Sequence, residues 1–283
     1  MNKDPIFPRN RKEVFVDLMK HHKMDLIKIN LLIAAFALLS IATIYIFILL
    51  IGQVPTLISS GYIEQVKPDD MDYSILFTSI IYLITMCAIL IITNIPAFIG
   101  IGGGIYVLSK ICYAEEDILI GKDFSTGLKR NLKQSIQLSL LFSLTFLFST
   151  FVVAIYLIID IPLFVRIASN IIAIVLFIIV SLVVFIALNY MNVYKVNFFS
   201  LLKNSFLIGF SSILKTIAFY LLSTIVLLTI FIPMRIPIFP LINIFFGFSY
   251  FLVIEVLYST SLFDKYINSK AHPELVDKGM RKD

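Results

Sequence analysis

Residues 167–194 read IASNIIAIVLFIIVSLVVFIALNYMNVY, a run with no Asp, Glu, Lys or Arg, bounded by Arg166 and Lys195. Ile, Leu, Val and Phe fill it without period-two alternation, which argues against a strand of a lipid-facing barrel. About 20 such residues cross the roughly 30 Å of bilayer hydrocarbon as a helix, which satisfies its own backbone groups where there is no water. The run reads as a transmembrane helix.

The same pattern recurs outward in both directions. Uncharged windows cover 29–63, 73–109, 134–159, 216–234, and 236–263 with Glu255 as its one interruption. The predicted spans are 29–51, 73–95, 136–159, 167–190, 214–234 and 241–263. Composition agrees, since 59% of the 283 residues are hydrophobic and 14% charged, against roughly 25% charged in soluble domains. The expected fold is all-α: a polytopic membrane bundle of six transmembrane helices arranged as three hairpins. A cytoplasmic segment over 1–28 precedes the 29–263 membrane domain, and a tail over 264–283 follows it.

Orientation follows from the 23 Lys and Arg residues. The N-terminal segment, the 110–133 and 195–215 connections and the tail hold all but Lys67, Arg166 and Arg235, so these basic segments and both termini are expected in the cytoplasm. Glu64, Asp69, Asp70 and Asp72 make the first loop acidic, as suits an external one. The net charge of +5 describes a rim facing the anionic cytoplasmic leaflet, and nucleic acid explains it poorly. About 28 mixed-charge residues precede the first apolar run, and no small-residue cleavage site follows, so no secretory signal is expected. Cys87 and Cys112, some 37 Å apart along one helix, cannot pair and read as small buried hydrophobes.

Three basic segments share a Phe followed five residues later by a Lys: Phe15 with Lys20, Phe124 with Lys129, Phe198 with Lys203. Phe124, Leu128, Leu132 and Ile136 recur every four residues beside Ser125, Lys129 and Lys133. Each segment reads as an amphipathic helix in the headgroup plane, its apolar face in the acyl boundary and its cations on anionic lipid.

The stretch from Asn94 to Gln134 carries the most information. Pro96 lacks an amide donor, so span 2 should kink or end there. Whether 96–113 continues that span or lies at the interface stays open. Gly100, Gly102, Gly103 and Gly104 suit a hinge or the close approach of another helix. No βαβ context or phosphate-loop spacing supports a nucleotide. The acidic run Glu115, Glu116, Asp117 leads to the basic block Lys129, Arg130 and Lys133, candidate contacts for lipid or a partner.

This stretch resembles the YesL-like family of bacterial multi-pass membrane proteins, whose molecular function is unknown. The likeness lies in Pro96 and the small residues after it, Gly104, Tyr106, Val107, Lys110, the acidic Glu116 and Asp117 with Ile118, and Phe124 to Gln134. Ala114 departs from the pattern, standing where a Gly usually precedes the acidic pair, and the first loop is longer. The resemblance implies an accessory role beside a carbohydrate importer.

Inside the spans Glu255 is the sole acidic side chain. A lone carboxyl there should face the bundle interior, be protonated or find a donor. With Asn94, Asn189 and Tyr258 it forms a candidate polar site. Enzymatic readings find no support: His21, His22 and His272 lie outside the spans, no catalytic motif accompanies them, and adjacent histidines point about 100° apart on a helix. No cofactor or metal is expected. Two functions remain: a non-enzymatic accessory or regulatory partner of a membrane transport system, and a small transporter or channel working through Glu255. Ligand, partner and oligomeric state are not legible.

Overall fold

The computed structural model describes residues 8–59, 73–115, 117–155, 162–231 and 242–281, with side chains for all but 47–59, 73–79, 230 and 231. Among the described residues the regular elements are helical and no strand occurs. They are α1 (Arg11–His21), α2 (Lys23–Ser59), α3 (Tyr73–Cys112), α4 (Ile120–Ile155), α5 (Leu163–Val193), α6 (Phe198–Phe210), α7 (Ile213–Thr224) and α8 (Phe248–Phe263). Five helical stretches here are long and apolar enough to cross a bilayer, and the bent pair α6–α7 makes a sixth if counted as one span. The chain is an all-α, multi-pass membrane protein. The acidic first loop and Arg235 lie outside the described residues.

Several helices are longer than the expected spans. α3 has 40 residues, about 60 Å or roughly twice the hydrocarbon thickness. α2 and α4, at 37 and 36 residues, also exceed it. Charge occupies the surplus, with Lys23, Asp25 and Lys28 opening α2, Lys110 near the end of α3, and Lys122 to Lys133 in the first turns of α4.

This length corrects one expectation. The 124–133 segment is not a separate helix in the headgroup plane, because it is continuous with the apolar part of α4. Its buried row is Phe124, Gly127, Asn131, Ser135 and Leu138, while Leu132 is exposed. Polar side chains satisfied by neighbouring helices replace the apolar stripe read from the sequence. α3 likewise runs unbroken through Pro96 to Cys112. A turn before the proline, the Thr93 carbonyl accepts from Ser40 Oγ at 2.6 Å, the kind of side-chain donor that makes proline tolerable in a membrane helix.

The fifth expected span differs most. α6 and α7 meet at 102°, and a 3₁₀ segment, Leu227–Phe231, follows α7; residues 232–234 lie outside the described residues. Hydroxyls take over the backbone bonds at the break. Ser211 Oγ donates to the Ile208 carbonyl at 2.6 Å, and Thr216 Oγ1 lies 2.9 Å from the Gly209 carbonyl. Such local competition bends helices.

The chain forms two compact units. In the unit comprising Ala37–Pro96 and Ser139–Ser181, Ser149 Oγ donates to the Ala173 carbonyl at 3.0 Å, and Phe142 and Phe146 flank Phe177. Ile92, Phe164 and Ile172 stand exposed, as residues solvated by lipid do.

The other unit comprises Met1–Phe36, Ala97–Leu138 and Leu182–Asp283. Its core is α8 from Phe251 to Thr260 and α5 from Leu182 to Asn192, buried residue after residue. Phe185 meets Phe251 and Tyr220 edge-on there. α1 opens with an Asn10 cap, whose side chain accepts from the Glu13 amide at 2.9 Å, while Glu13 accepts from the Arg9 amide just before the cap at 2.8 Å. Its inward residues Val14 and Leu18 are buried against protein, and α1 packs on α8. That face therefore does not enter the acyl boundary, as the sequence had suggested.

The last predicted span also runs on. π-helical turns flank α8 at Asn243–Gly247 and Asp264–Asn268, and helical turns continue to Ala271. The following tail is docked. Lys278 pairs with Glu115 at 3.0 Å and lies over the Tyr113 ring, and the Arg281 amide donates to the Pro8 carbonyl at 2.9 Å.

Candidate functional site

The site grows from polar side chains that apolar helices carry into the interior of one unit. Glu255 is 0% exposed. Its Oε1 accepts from Ser259 Oγ at 3.2 Å, one turn further along α8. The backbone amide of Asn189 faces the carboxyl, and Oε2 has no partner in hydrogen-bond geometry. No ion pair to Glu255 occurs among the described residues.

Of the expected companions, the structure brings Asn189 to Glu255 and sends the others elsewhere. Asn189 Nδ2 makes a long bond of 3.4 Å to the Val256 carbonyl, and its Oδ1 lies 3.5 Å from Ser109 Oγ. Tyr258 leaves α8 toward α7, where its hydroxyl lies 2.7 Å from Thr216 Oγ1 and its ring stacks on Phe219. Asn94 belongs to the other unit and donates to Ser143 Oγ at 3.0 Å.

Sequence reading missed the residues that do most of the joining. Asn30 Nδ2 donates to the Asn243 and Ile244 carbonyls at 3.1 and 2.5 Å, and its Oδ1 accepts from the Ser249 amide at 2.7 Å. One side chain from α2 thereby serves backbone groups at the π-to-α transition that begins α8. Asn131 Nδ2 donates to Asn192 Oδ1 at 2.6 Å, tying α4 to α5. At the end of α5, Tyr194 donates to Asn268 Oδ1, Asn268 donates to Asp264 Oδ1 at 2.7 Å, and Asp264 Oδ2 accepts from Arg11 Nη2 at 2.7 Å. Burial pushes the Tyr194 phenol up from its usual value, so it stays a donor. An Asn in an apolar run was the available signal, but Asn30 sits at the edge of its window and Asn131 among lysines.

The glycines pack. A Cβ on Gly100 would lie 2.6 Å from Phe36 Cβ, one on Gly102 2.8 Å from Ser135 Oγ, and one on Gly103 3.1 Å from the Phe124 carbonyl. One on Gly104 would overlap Ile33. Gly127 of α4 answers them, its missing Cβ 2.6 Å from Tyr106 Cβ. Pro96 lies within α3.

The basic row of α4 stays outside, with Lys129, Arg130 and Lys133 exposed and the Arg130 guanidinium 5.6 Å from the Tyr106 ring centroid. Asp117 is exposed with φ +57°, and Glu116 lies outside the described residues. Glu115 pairs inward with Lys278, and Asp123 with Lys110 at 2.9 Å. His22 meets Asp25 at 3.2 Å and His272 meets Glu274 at 3.3 Å. Among the described residues no group of three His, Cys, Asp or Glu could hold a metal.

These features define a multi-pass membrane protein whose interior helices are joined by side-chain amides and close glycine contacts. No family model, curated protein or solved structure matches the chain.

Proposed function

We propose that the chain is a non-enzymatic accessory or regulatory protein of a bacterial cytoplasmic membrane, with both termini in the cytoplasm, standing beside a transport system such as a carbohydrate importer. One observation carries this reading. The interior amides of Asn30, Asn131 and Asn192 are engaged in bonds between or within helices, whereas a substrate path needs polar groups facing an open cavity. The exposed Lys129, Arg130 and Lys133 row offers a surface to a partner or to anionic lipid.

Capture of the tagged full-length protein from native membranes tests the reading. A stoichiometric membrane partner is expected, and its loss when Lys129 and Lys133 are changed to Glu would assign the surface. Capture of no stoichiometric partner overturns it.

A second reading, a small transporter, draws on the unpartnered Oε2 of the buried Glu255. It requires that the protein reconstituted alone move solute and that Glu255→Gln stop it. Solute movement unchanged by that substitution removes Glu255 from any proton-coupled route.

A further inference from the structure

A cavity of about 650 Å³ lies between α1, α7 and α8. This is within the 300–1,000 Å³ range of pockets that hold small organic ligands. Helical spacing orders its lining. Lys215, Phe219 and Leu222 fall on one face of α7, and Tyr250, Ile254, Leu257 and Ser261 on one face of α8, with Lys265 in the π-helical turn that follows it. Bonds from Ser212 to Tyr266 at 3.1 Å and from Thr216 to Tyr258 at 2.7 Å fix the two helices antiparallel. Lys215 and Lys265 therefore stand toward one end, and Leu222 and Tyr250 toward the other. The Arg11–Asp264 pair brings Lys12 to the cationic end as well.

Charge in this lining has one sign. Arg11, Lys12, Lys215 and Lys265 contribute to it, and no acidic residue among the described ones does. Arg11 is matched by Asp264, while Lys12, Lys215 and Lys265 have no ion-pair partner among the described residues and are exposed. Leu221 and Leu222 are exposed on the last turn of α7, at 57% and 46%, so the apolar end adjoins a surface suited to lipid.

We infer that this groove binds one anionic phospholipid of the bilayer, its phosphate among Lys12, Lys215 and Lys265 and one acyl chain along Phe219, Leu222 and Ile254. A cationic mouth on an apolar trough matches an amphiphile carrying one negative head, and the protein sits in a solvent made of such molecules. A free phosphate would leave the trough empty. A zwitterionic lipid would forgo the net attraction of the lysines, each contributing several-fold in affinity.

The test uses full-length protein in detergent, supplied with phosphatidylglycerol or phosphatidylcholine and read by native mass spectrometry. One phosphatidylglycerol should be retained, with phosphatidylcholine at least about tenfold weaker. Lys215→Gln with Lys265→Gln should erase that preference, and Leu222→Trp, which fills the trough from an exposed position, should weaken both lipids. Lys129→Gln with Lys133→Gln should change nothing. Equal retention of the two lipids, an unchanged preference in the Lys215, Lys265 variant, or displacement by glycerol phosphate as effective as by intact lipid would each overturn the inference. Its failure leaves the accessory reading standing, because partner capture tests a different surface.

Discussion

Arg11, in the first turn of α1, and Asp264, just past α8, form an ion pair at 2.7 Å with side chains only 15% and 13% exposed. The two ends of the membrane-spanning sequence thus meet. Among the described residues five helical stretches are long and apolar enough to cross a bilayer, and the pair α6–α7, bent by 102°, makes a sixth if it is one span.

The pair should respond asymmetrically to substitution. Nε and Nη1 of Arg11 are buried without hydrogen-bond partners, so the arginine is already under-satisfied. Asp264→Asn strands the guanidinium and is expected to cost about 3 kcal/mol. Arg11→Met with Asp264→Leu should lie much closer to the wild type. Thermal unfolding in detergent checks the order, and equal losses in both variants would contradict it.

Two glycines of α4 make a second comparison. A Cβ on Gly127 would meet Tyr106 Cβ at 2.6 Å and the Gly103 backbone at 3.1 Å, whereas nothing lies within 4 Å of one on Gly121. Gly127→Ala should destabilise by about 1–3 kcal/mol through overpacking. Gly121→Ala should be neutral or stabilise by up to about 1 kcal/mol. Melting midpoints of the two single variants decide the matter.

Asn30→Leu should cost about 1–3 kcal/mol, because it strips donors from the Asn243 and Ile244 carbonyls and the acceptor from the Ser249 amide. The loss should be local. Hydrogen exchange is expected to quicken around residues 243–249 while the Asn131–Asn192 contact keeps its protection.

Backbone conformation supplies a paired prediction at the docked tail. Ala114 has φ +50° and Gly279 φ +81°. Ala114→Gly should stabilise by up to about 1 kcal/mol, since the left-handed cost of about 1–2 kcal/mol outweighs the extra unfolded-state freedom of glycine. Gly279→Ala should release the tail, because its Cβ would overlap the Cys112 carbonyl. Faster proteolysis after Lys278, with the helices intact, is the expected readout.

Much of the fold was legible because hydrocarbon allows few solutions. Uncharged windows locate α2 to α5 and α8, since an apolar run must cross as a helix that pairs its own backbone. Lengths and bends were less legible. Whether Lys122 to Lys133 lies flat or prolongs α4 depends on what Asn131 and Ser135 touch, and those partners come from residues far along the chain. The candidate polar site was legible only in part, Asn189 standing by Glu255 while Tyr258 turns to Thr216. Similar depth suggested that Asn94, Asn189, Glu255 and Tyr258 meet, but depth does not specify which way a helix faces.

By itself, then, the sequence determined the solvent and the helical class, because transfer of charge and unpaired backbone into lipid is costly enough to override local detail. Tertiary structure alone decided which polar groups are used as joints. Placing Asn30 against Asn243, Tyr258 against Thr216 and three lysines around one apolar trough depends on helix rotation and long-range contact, which an apolar run without a hydrophobic stripe does not encode.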